Sequence, residues 1–390
     1  MPIRSGAFLI CLVLAAPAFL AAPVRAGLLD DFKDPKDGAF DVSKMLDSPA
    51  GFLPVPIIIT EPAVGYGGGL AALYFHRSGK QETDTTEMDW ETPSRFAVPN
   101  ISAVFGLGTE NGTWAAGGGH FGSWFDDRLR YLGGAGYASV NLKFYGIGNI
   151  DLSNRPIQYN LKTFFLIQEL KARIFRSDFF GGARYTFVNA ESGFGFDREP
   201  PQFIKDILQS RQGGLGPLLE YDSRDNILSP NRGISAQAIG QIFDPAFGGE
   251  DHYFMVRSYA KLYRDILNKK LLLGLRLDGR FSGGSVPFYA LPFIDIRGIP
   301  AMRYQGQYAF VTEGQVMWNC YRRWYLLGFL GAGWAVNSAS ELSFDSAETS
   351  KGFGFRYLIA RMKGLRVGID VARGPEEWTF YLQTGSAWGG

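Results

Sequence analysis

By residue type, the three histidines are best suited to hold a metal ion or to act as a catalytic base: His76, His120 and His252. No two of them have the spacing of a local motif such as His-x-x-x-His, and Cys320 is the one cysteine beyond residue 26. His120 precedes Ser123, but residues three apart on a strand point to opposite faces, so a nucleophile and base pair is not expected there. The glycine-rich GYGGGL at 65–70 is not followed by a helical pattern, which argues against a phosphate-binding loop. The sequence therefore predicts no catalytic residue, no metal site and no cofactor.

An arginine in a connecting segment is a stronger candidate. The stretch DIRGIPAMRYQGQ, residues 295–307, places Arg297 and Gly298 among prolines and glycines between two segments that alternate like strands. A guanidinium is a rigid set of donors, and away from water it requires a carboxylate partner. Its role therefore depends on the elements that surround it.

Alternation of apolar and polar residues dominates the chain from residue 53 onward. In LLLGLRLDGRF, residues 271–281, four leucines and a phenylalanine share one face, while arginines, an aspartate and a glycine share the other. Segments 254–264 and 365–374 show similar alternation. The pattern predicts strands with one apolar side, which fits either a soluble sandwich or a membrane barrel.

Sixteen such segments are predicted. They span approximately 53–60, 66–77, 96–107, 112–124, 127–142, 158–173, 177–190, 212–223, 231–243, 252–266, 269–282, 306–320, 323–336, 351–362, 364–373 and 377–386. Many reach the roughly 9 to 11 residues that a strand needs to cross a bilayer.

The connections favour the barrel over the sandwich. Tight turns such as FRSD, LNKK, YRRW and RMKG alternate with longer loops, as in outer-membrane barrels with short periplasmic turns and long external loops. Aromatic residues cluster near strand ends, and no apolar run after residue 26 reaches the ~18 residues of a membrane helix. We therefore predict an all-β, transmembrane antiparallel β-barrel of about 16 strands. The acidic link at 78–95 is an exception, because the strand count places it among the tight turns.

The N-terminal residues indicate export. Arg4 precedes an apolar run that ends at Ala26, a pattern that predicts a signal peptide over residues 1–26, followed by a periplasmic lead-in at 27–52 and the barrel at 53–390. Removing Arg4 and Arg25 from the 39 basic residues leaves 37 against 38 acidic residues, so nothing suggests a nucleic-acid partner. The expected location is the bacterial outer membrane.

Three motifs resemble the outer-membrane assembly-factor superfamily of BamA and TamA, also called the bacterial surface antigen family. Ile296, Arg297, Gly298 and Ile299 are similar to that family's Val-Arg-Gly-Phe or Val-Arg-Gly-Tyr loop motif. The family's turn motif resembles YDSRDNILSPNRG, and the matching residues are Arg224, Asp225, Asn226, Pro230, Arg232 and Gly233. LPVPIIITEPAVGYGGGLAALYF resembles the opening hairpin. Because only residues 27–52 precede the barrel, a member without the family's POTRA domains is expected.

The resemblance implies that the loop around Arg297 folds into the lumen and is held there. Glu313 on the next strand matches the family's acidic position, and Gly298 would let the loop backbone approach the wall. The family's second acidic residue is replaced by Gly331, so one carboxylate is expected for Arg297 rather than two. The alternative is an exposed loop arginine without a fixed partner. The turn around Arg224 is expected to form a turn without chemistry, through Asx-type hydrogen bonds.

The chain ends in EWTFYLQTGSAWGG. Trp378, Phe380, Leu382 and Trp388 share one parity and are predicted to face lipid on the closing strand. Family members usually finish on an aromatic residue, whereas Trp388 here is followed by two glycines.

Three functions follow from these expectations. The first is polypeptide insertion or translocation through a seam between the first and last strands, as the resemblance implies. The second is a stand-alone pore or structural barrel, and the third, which the residue survey disfavours, is a barrel hydrolase. The expected partners are outer-membrane lipid and lipopolysaccharide, the outer-membrane assembly machinery during biogenesis, and a separate periplasmic protein.

Overall fold

A computed structural model of the chain describes residues 32–43, 52–76, 100–145, 156–194 and 209–388. The predicted signal peptide and the link at 78–95 lie outside these residues. The described residues form sixteen strands: β1 Phe52–Glu61, β2 Gly65–Phe75, β3 Ile101–Thr109, β4 Trp114–Trp124, β5 Leu129–Phe144, β6 Ile157–Arg173, β7 Phe179–Phe194, β8 Gln209–Asp222, β9 Gly233–Phe243, β10 Tyr253–Ile266, β11 Leu271–Gly284, β12 Tyr308–Tyr321, β13 Trp324–Val336, β14 Glu348–Ala360, β15 Leu365–Arg373 and β16 Trp378–Thr384. No helix among the described residues is long and apolar enough to cross a membrane.

Each strand pairs antiparallel with the next one in the sequence, so the sheet runs from β1 to β16 without a crossover. The two ends of the sheet meet, because the rings of Tyr66 on β2 and Phe380 on β16 stack with centroids 5.4 Å apart. Among the described strands, no ladder of backbone hydrogen bonds joins β1 to β16. The fold is therefore a nearly closed antiparallel barrel. The prediction of an all-β barrel of about 16 strands is confirmed.

The two faces of the sheet differ in polarity. On β13, Leu326 and Leu330 are 50% and 70% exposed, whereas the alternating residues Leu327 and Phe329 are buried. The outer face carries further exposed apolar residues, among them Val104, Leu170, Leu219, Ile242 and Phe353. Charged side chains are buried on the opposite face, among them Glu169, Lys171, Arg276, Asp278 and Arg280. An apolar outside and a polar inside are the pattern of a barrel whose outer face meets lipid.

The connections also divide into two groups. One end of the barrel has the tight turns, which include 174–178, 267–270, 322–323 and 361–364, and the other end has longer loops such as 285–307 and 337–347. At 267–269 three consecutive residues have φ between 51° and 64°, the left-handed conformation that suits the twist of a hairpin. Most strand boundaries lie within about three residues of the predicted ones; the start of β3, at Ile101 rather than 96, is among the larger differences. The number of strands before the link at 78–95 is as predicted.

Candidate functional site

The loop between β11 and β12, residues 285–307, is buried over an unusually long stretch. All residues from Tyr289 to Pro300 are buried, although connecting loops normally run over the surface. Ile294, Ile296 and Ile299 pack with Val311 of β12 and form an apolar cluster. Burial of this cluster holds the loop against the sheet independently of any charge.

Two glycines of β13 make room for the loop. A Cβ atom at Gly331 would lie 2.4 Å from Cδ1 of Ile296, and one at Gly333 would lie 2.4 Å from Cγ2 of Ile294. Real Cβ atoms essentially never come so close, so a side chain at either position would force the isoleucine side chain or the backbone beside it to shift. The glycine at 331, where an aspartate was expected from the resemblance, is therefore explained by the packing of Ile296.

Arg297 is held by two carboxylates rather than one. Its Nε donates to Oε1 of Glu313 on β12 at 2.6 Å, and its Nη1 donates to Oδ2 of Asp370 on β15 at 2.7 Å. Both carboxylate side chains are fully buried, and the guanidinium lies 3.6 Å from the centroid of the Phe329 ring. Asp370 also accepts two hydrogen bonds from Arg356 of β14, at 2.6 and 2.8 Å.

Sequence reasoning placed Glu313 beside Arg297 but expected no second anchor and missed Asp370. The sequence does contain a signal for a second carboxylate, because Asp370 lies on the polar face of the alternating segment LRVGIDVARG. The carboxylate comes from β15 instead of β13, and strand alternation alone does not reveal which strands the loop will reach.

Gly298 lies where its backbone allows close approach. Its φ is +91°, and an added Cβ would lie 2.9 Å from the backbone nitrogen of Gly374 and from Oγ of Ser350. Its N–H donates to the hydroxyl of Tyr381 on β16 at 2.9 Å, while Ser350 donates to the carbonyl of Arg297. Both polar groups of the Arg297–Gly298 peptide bond are thus bonded to side chains of the sheet.

Other parts of the loop reach further strands. The N–H of Ala301 donates to Oε1 of Glu61, at the end of β1, at 3.0 Å. Nε of Arg303 donates to Oε1 of Glu376, between β15 and β16, at 2.6 Å. Tyr289, Ala290, Phe293 and Met302 join an apolar cluster with residues of β5, β6 and β7, including Val140, Leu161 and Val188.

Comparison with solved structures identifies the fold. BamA from Haemophilus ducreyi lacking POTRA domains 1–3 matches with a TM-score of 0.56 and 13% identity, over 85% of this chain and 69% of that one. CdiB from Acinetobacter baumannii matches with a TM-score of 0.53 and 12% identity, and CdiB from Escherichia coli with 0.58 and 9%. The fold is that of the BamA and CdiB barrels.

The match covers 86% and 85% of this chain but only 59% and 62% of the two CdiB chains, so this chain spans about three fifths of their length. No protein-family model matches the chain, and no curated protein matches it. The likeness therefore establishes the architecture of the BamA-type barrel.

The turn that resembles the family motif lies at the tight-turn end of this BamA-type barrel. Nε of Arg224 donates to Asp222 at 2.9 Å, and Oδ1 of Asp225 accepts from the N–H of Asn231 at 2.9 Å. Asn226 accepts from the N–H of Leu228 and donates to the carbonyl of Lys363 in the β14–β15 turn, both at 2.8 Å. Pro230 is buried, and Gly233 begins β9 with a φ of +106°. These contacts form a turn and connect it to a second turn.

The closing strand differs from its prediction at one residue. Trp378 and Phe380 are exposed on the outer face and Leu382 is half-buried on it, but Trp388 is only 5% exposed. β16 ends at Thr384, and Gly385 has a φ of +76°, which turns the chain and ends the alternation. The Trp388 ring packs 5.7 Å from that of Tyr263, which is buried on the inner face of β10. The prediction that Trp388 faces lipid is wrong.

Part of the predicted lead-in is bound to the tight-turn end. Arg323, between β12 and β13, donates to Asp37 and Asp41 at 2.7 Å each and also contacts Asp34. Arg361 also pairs with Asp34, and this hydrogen bond is the main cause that lowers the pKa of Asp34 to about 2. Arg323 lowers the pKa of Asp37 in the same way. We call residues 32–43 the N-terminal segment and its contacts with Arg323 and Arg361 the Arg323 site.

The candidate catalytic residues do not come together. Ser123 donates to Asp127 at 2.9 Å, whereas His120 contacts Ser102. Within the described ranges there is no group of three or more His, Cys, Asp or Glu side chains that could hold a metal ion. Cys320 is a free, half-buried thiol.

Proposed function

We propose that this chain is an outer-membrane β-barrel of the BamA/TamA superfamily that acts on polypeptides, in insertion or translocation across the membrane. The shared architecture, the apolar outer face and the motif around Arg297 support this assignment. With this assignment we also propose the predicted partners, which are outer-membrane lipid and lipopolysaccharide, the outer-membrane machinery during assembly, and a separate periplasmic protein.

The loop at 285–307 is the first part of this proposal. It packs against β5 to β7 on one side and bonds to β12, β15 and β16 on the other. In a sixteen-strand order these two sets lie about half a circumference apart. We infer that the loop crosses the interior of the barrel and that Arg297 holds it there through Glu313 and Asp370.

The meeting point of β1 and β16 is the second part. β16 has seven residues against ten in β1, and β1 contains Pro54 and Pro56, which lack the N–H that a central strand would donate. A short strand such as β16 and a strand with prolines such as β1 both suit the edge of a sheet, where the backbone can pair with another chain. We propose that a polypeptide client engages the barrel at this seam.

The observation that carries the proposal is that one loop bonds to both sides of the seam. Ala301 is bonded to Glu61 of β1, and Gly298 is bonded to Tyr381 of β16. Movement of the loop can therefore affect whether β1 and β16 stay together, which a loop bonded to only one of these strands could not do.

The test is an assembly assay in liposomes that contain the purified chain. A small outer-membrane β-barrel is added unfolded, and its folding is followed by heat-modifiable gel migration. We expect the chain to accelerate folding of this client. Replacing Tyr66 and Phe380 by cysteine and joining them with a dimaleimide should abolish the acceleration, with Cys320→Ser in the background. The same double variant without the reagent is the matched control.

The proposal fails if the chain leaves the folding rate of the client unchanged, or if linking β2 to β16 across the seam has no effect on an observed acceleration. The first result would favour the alternative of a stand-alone pore or structural barrel. The second would place any activity away from the seam.

A further inference from the structure

The outer face of the barrel has a polar patch where its surroundings are apolar. His76 directly follows β2, Ser102 lies on β3 and His120 lies on β4, so three adjacent strands contribute one polar side chain each. In the ladder Ser102 pairs with Tyr74 on one side and with His120 on the other. Because paired residues share a face, Ser102 and His120 lie on the same side as Tyr74 and Val104, which are 40% and 59% exposed.

The two imidazoles converge on one point. Nε2 of His76 lies 2.8 Å from Oγ of Ser102, and Nδ1 of His120 lies 2.9 Å from the same oxygen. The ring centroids are 5.1 Å apart, with an angle of 80° between the planes. Since one hydroxyl has one hydrogen, Ser102 donates to one imidazole and accepts from the other. The Ser102 hydroxyl thus lies at a point within hydrogen-bond distance of both Nε2 of His76 and Nδ1 of His120.

We propose that His76 and His120 form a binding site for a divalent transition-metal ion of the Zn²⁺, Cu²⁺ or Ni²⁺ class. Imidazole nitrogen is a preferred ligand of these ions, at about 2.0 to 2.1 Å for Zn²⁺. An ion between the two rings would take the place that the Ser102 hydroxyl holds, and this hydroxyl can rotate about χ1 to make room. Two protein ligands leave the other coordination positions to water, which suits an exchangeable site.

Neighbouring aromatic rings hold the imidazoles in place. The Tyr74 ring packs edge-on to His76 at 4.9 Å, and the Trp124 ring stacks on His120 at 6.1 Å. The Tyr131 ring lies 6.3 Å from His120, and its hydroxyl donates to Gln168. Such packing fixes the orientation of ligand rings before an ion arrives, which lowers the entropy lost on binding.

The third histidine provides a matched control. His252 lies in the β9–β10 loop, at the other end of the barrel, where Nδ1 contacts Oδ2 of Asp244 at 2.8 Å. Its side chain is 74% exposed. Replacing it removes one imidazole without touching the patch.

The experiment uses the full chain, purified in detergent without a histidine tag, with Cu²⁺ as the probe. Electron paramagnetic resonance at pH 7.5 should show one bound ion with coupling to two imidazole nitrogens. His120→Gln and His76→Gln should each weaken Cu²⁺ binding by about tenfold or more, which corresponds to ~1.4 kcal/mol. Ser102→Ala should retain binding, and His252→Gln should match the wild type. Heat-modifiable migration shows that each variant is folded.

Three results would overturn the proposal. The first is a wild-type chain that binds no Cu²⁺ at micromolar concentration. The second is binding that survives both His120→Gln and His76→Gln in folded protein. The third is binding that His252→Gln removes, which would place the ion at the loop end of the barrel.

Discussion

Two arginines of this barrel are each surrounded by acidic side chains, and their settings differ in one respect. Arg297 pairs with Glu313 and Asp370, which lie within strands bonded on both sides to their neighbours. Arg323 pairs with Asp34, Asp37 and Asp41, which lie on the N-terminal segment. In the first site a loop carries the arginine and the strands carry the acids. In the second site a tight turn of the barrel carries the arginine and the N-terminal segment carries the acids.

The difference decides what happens when the arginine is lost. Glu313 and Asp370 cannot leave their strands, so an unpaired carboxylate would stay buried, which is strongly destabilising. The N-terminal segment, in contrast, is not part of the sheet, although Val42 packs against Ile359 and Leu365. Its release would return its three carboxylates to water. The same pairing chemistry should therefore control barrel stability at Arg297 and only segment attachment at Arg323.

Arg297→Ala should have the largest effect. Glu313 would lose its ion-pair partner while remaining buried, and we expect a loss of about 3 to 5 kcal/mol in the free energy of unfolding. Urea unfolding followed by heat-modifiable migration measures it. Arg303→Ala is the matched control in the same loop, because its partner Glu376 is 42% exposed, and it should change stability by less than about 1 kcal/mol. Equal stability of the two variants would remove the distinction between the sites.

Asp370→Asn should have the next largest effect. Asp370 forms ion pairs with both Arg297 and Arg356, whereas Glu313 pairs with Arg297 and not with Arg356. We expect a loss of about 2 to 3 kcal/mol for Asp370→Asn and about 1.5 kcal/mol for Glu313→Gln in the same unfolding assay. A larger loss for Glu313→Gln would show that the pair with Arg356 contributes little.

Arg323→Ala should release the N-terminal segment and leave the barrel folded. Trypsin cleavage at Lys33 and Lys36 should become faster by about tenfold, which corresponds to ~1.4 kcal/mol of lost attachment, with unchanged heat-modifiable migration. Arg211→Ala at the other end of the barrel is the control and should leave the cleavage rate unchanged. Loss of the folded band in Arg323→Ala would contradict the comparison.

Lowering the pH should weaken the attachment of the N-terminal segment at the Arg323 site. The pKa of Asp34 is lowered from its ordinary value of 3.8 to about 2, mainly by Arg361, so its charged form is stabilised in the bound segment. This contribution is complete above pH ~4 and is lost as the pH falls toward about 2. A spin label on Lys36→Cys, with Cys320→Ser, should become mobile in that range. Release that begins near neutral pH would assign the attachment to other groups.

The sequence predicts the barrel well because each strand carries its own evidence. Alternation in segments such as 271–281 reports which residues share a face, and turn signals such as LNKK report where a strand ends. Trp388 shows the limit of that reasoning, since one left-handed glycine at 385 ends the alternation and brings the ring inside.

Contacts between distant segments were predicted less completely. Glu313 was placed beside Arg297 through the motif, but Asp370 lies 73 residues from the arginine and belongs to a strand that the loop reaches only in the folded barrel. The Arg323 site joins residues more than 280 apart, and the two histidines of the outer patch meet across β3. None of these pairs has a local spacing, because strand order and register bring them together.

The most direct test of the proposal that Arg297 holds a loop across the interior is single-channel conductance in planar bilayers. The wild type is compared with a deletion of residues 290–303, and a deletion of residues 339–345 from the exposed β13–β14 loop is the control. We predict small, flickering currents for the wild type and the control, and large, steady currents once residues 290–303 are removed. Large, steady currents in all three proteins would contradict the account, because the interior would then be open with the loop in place.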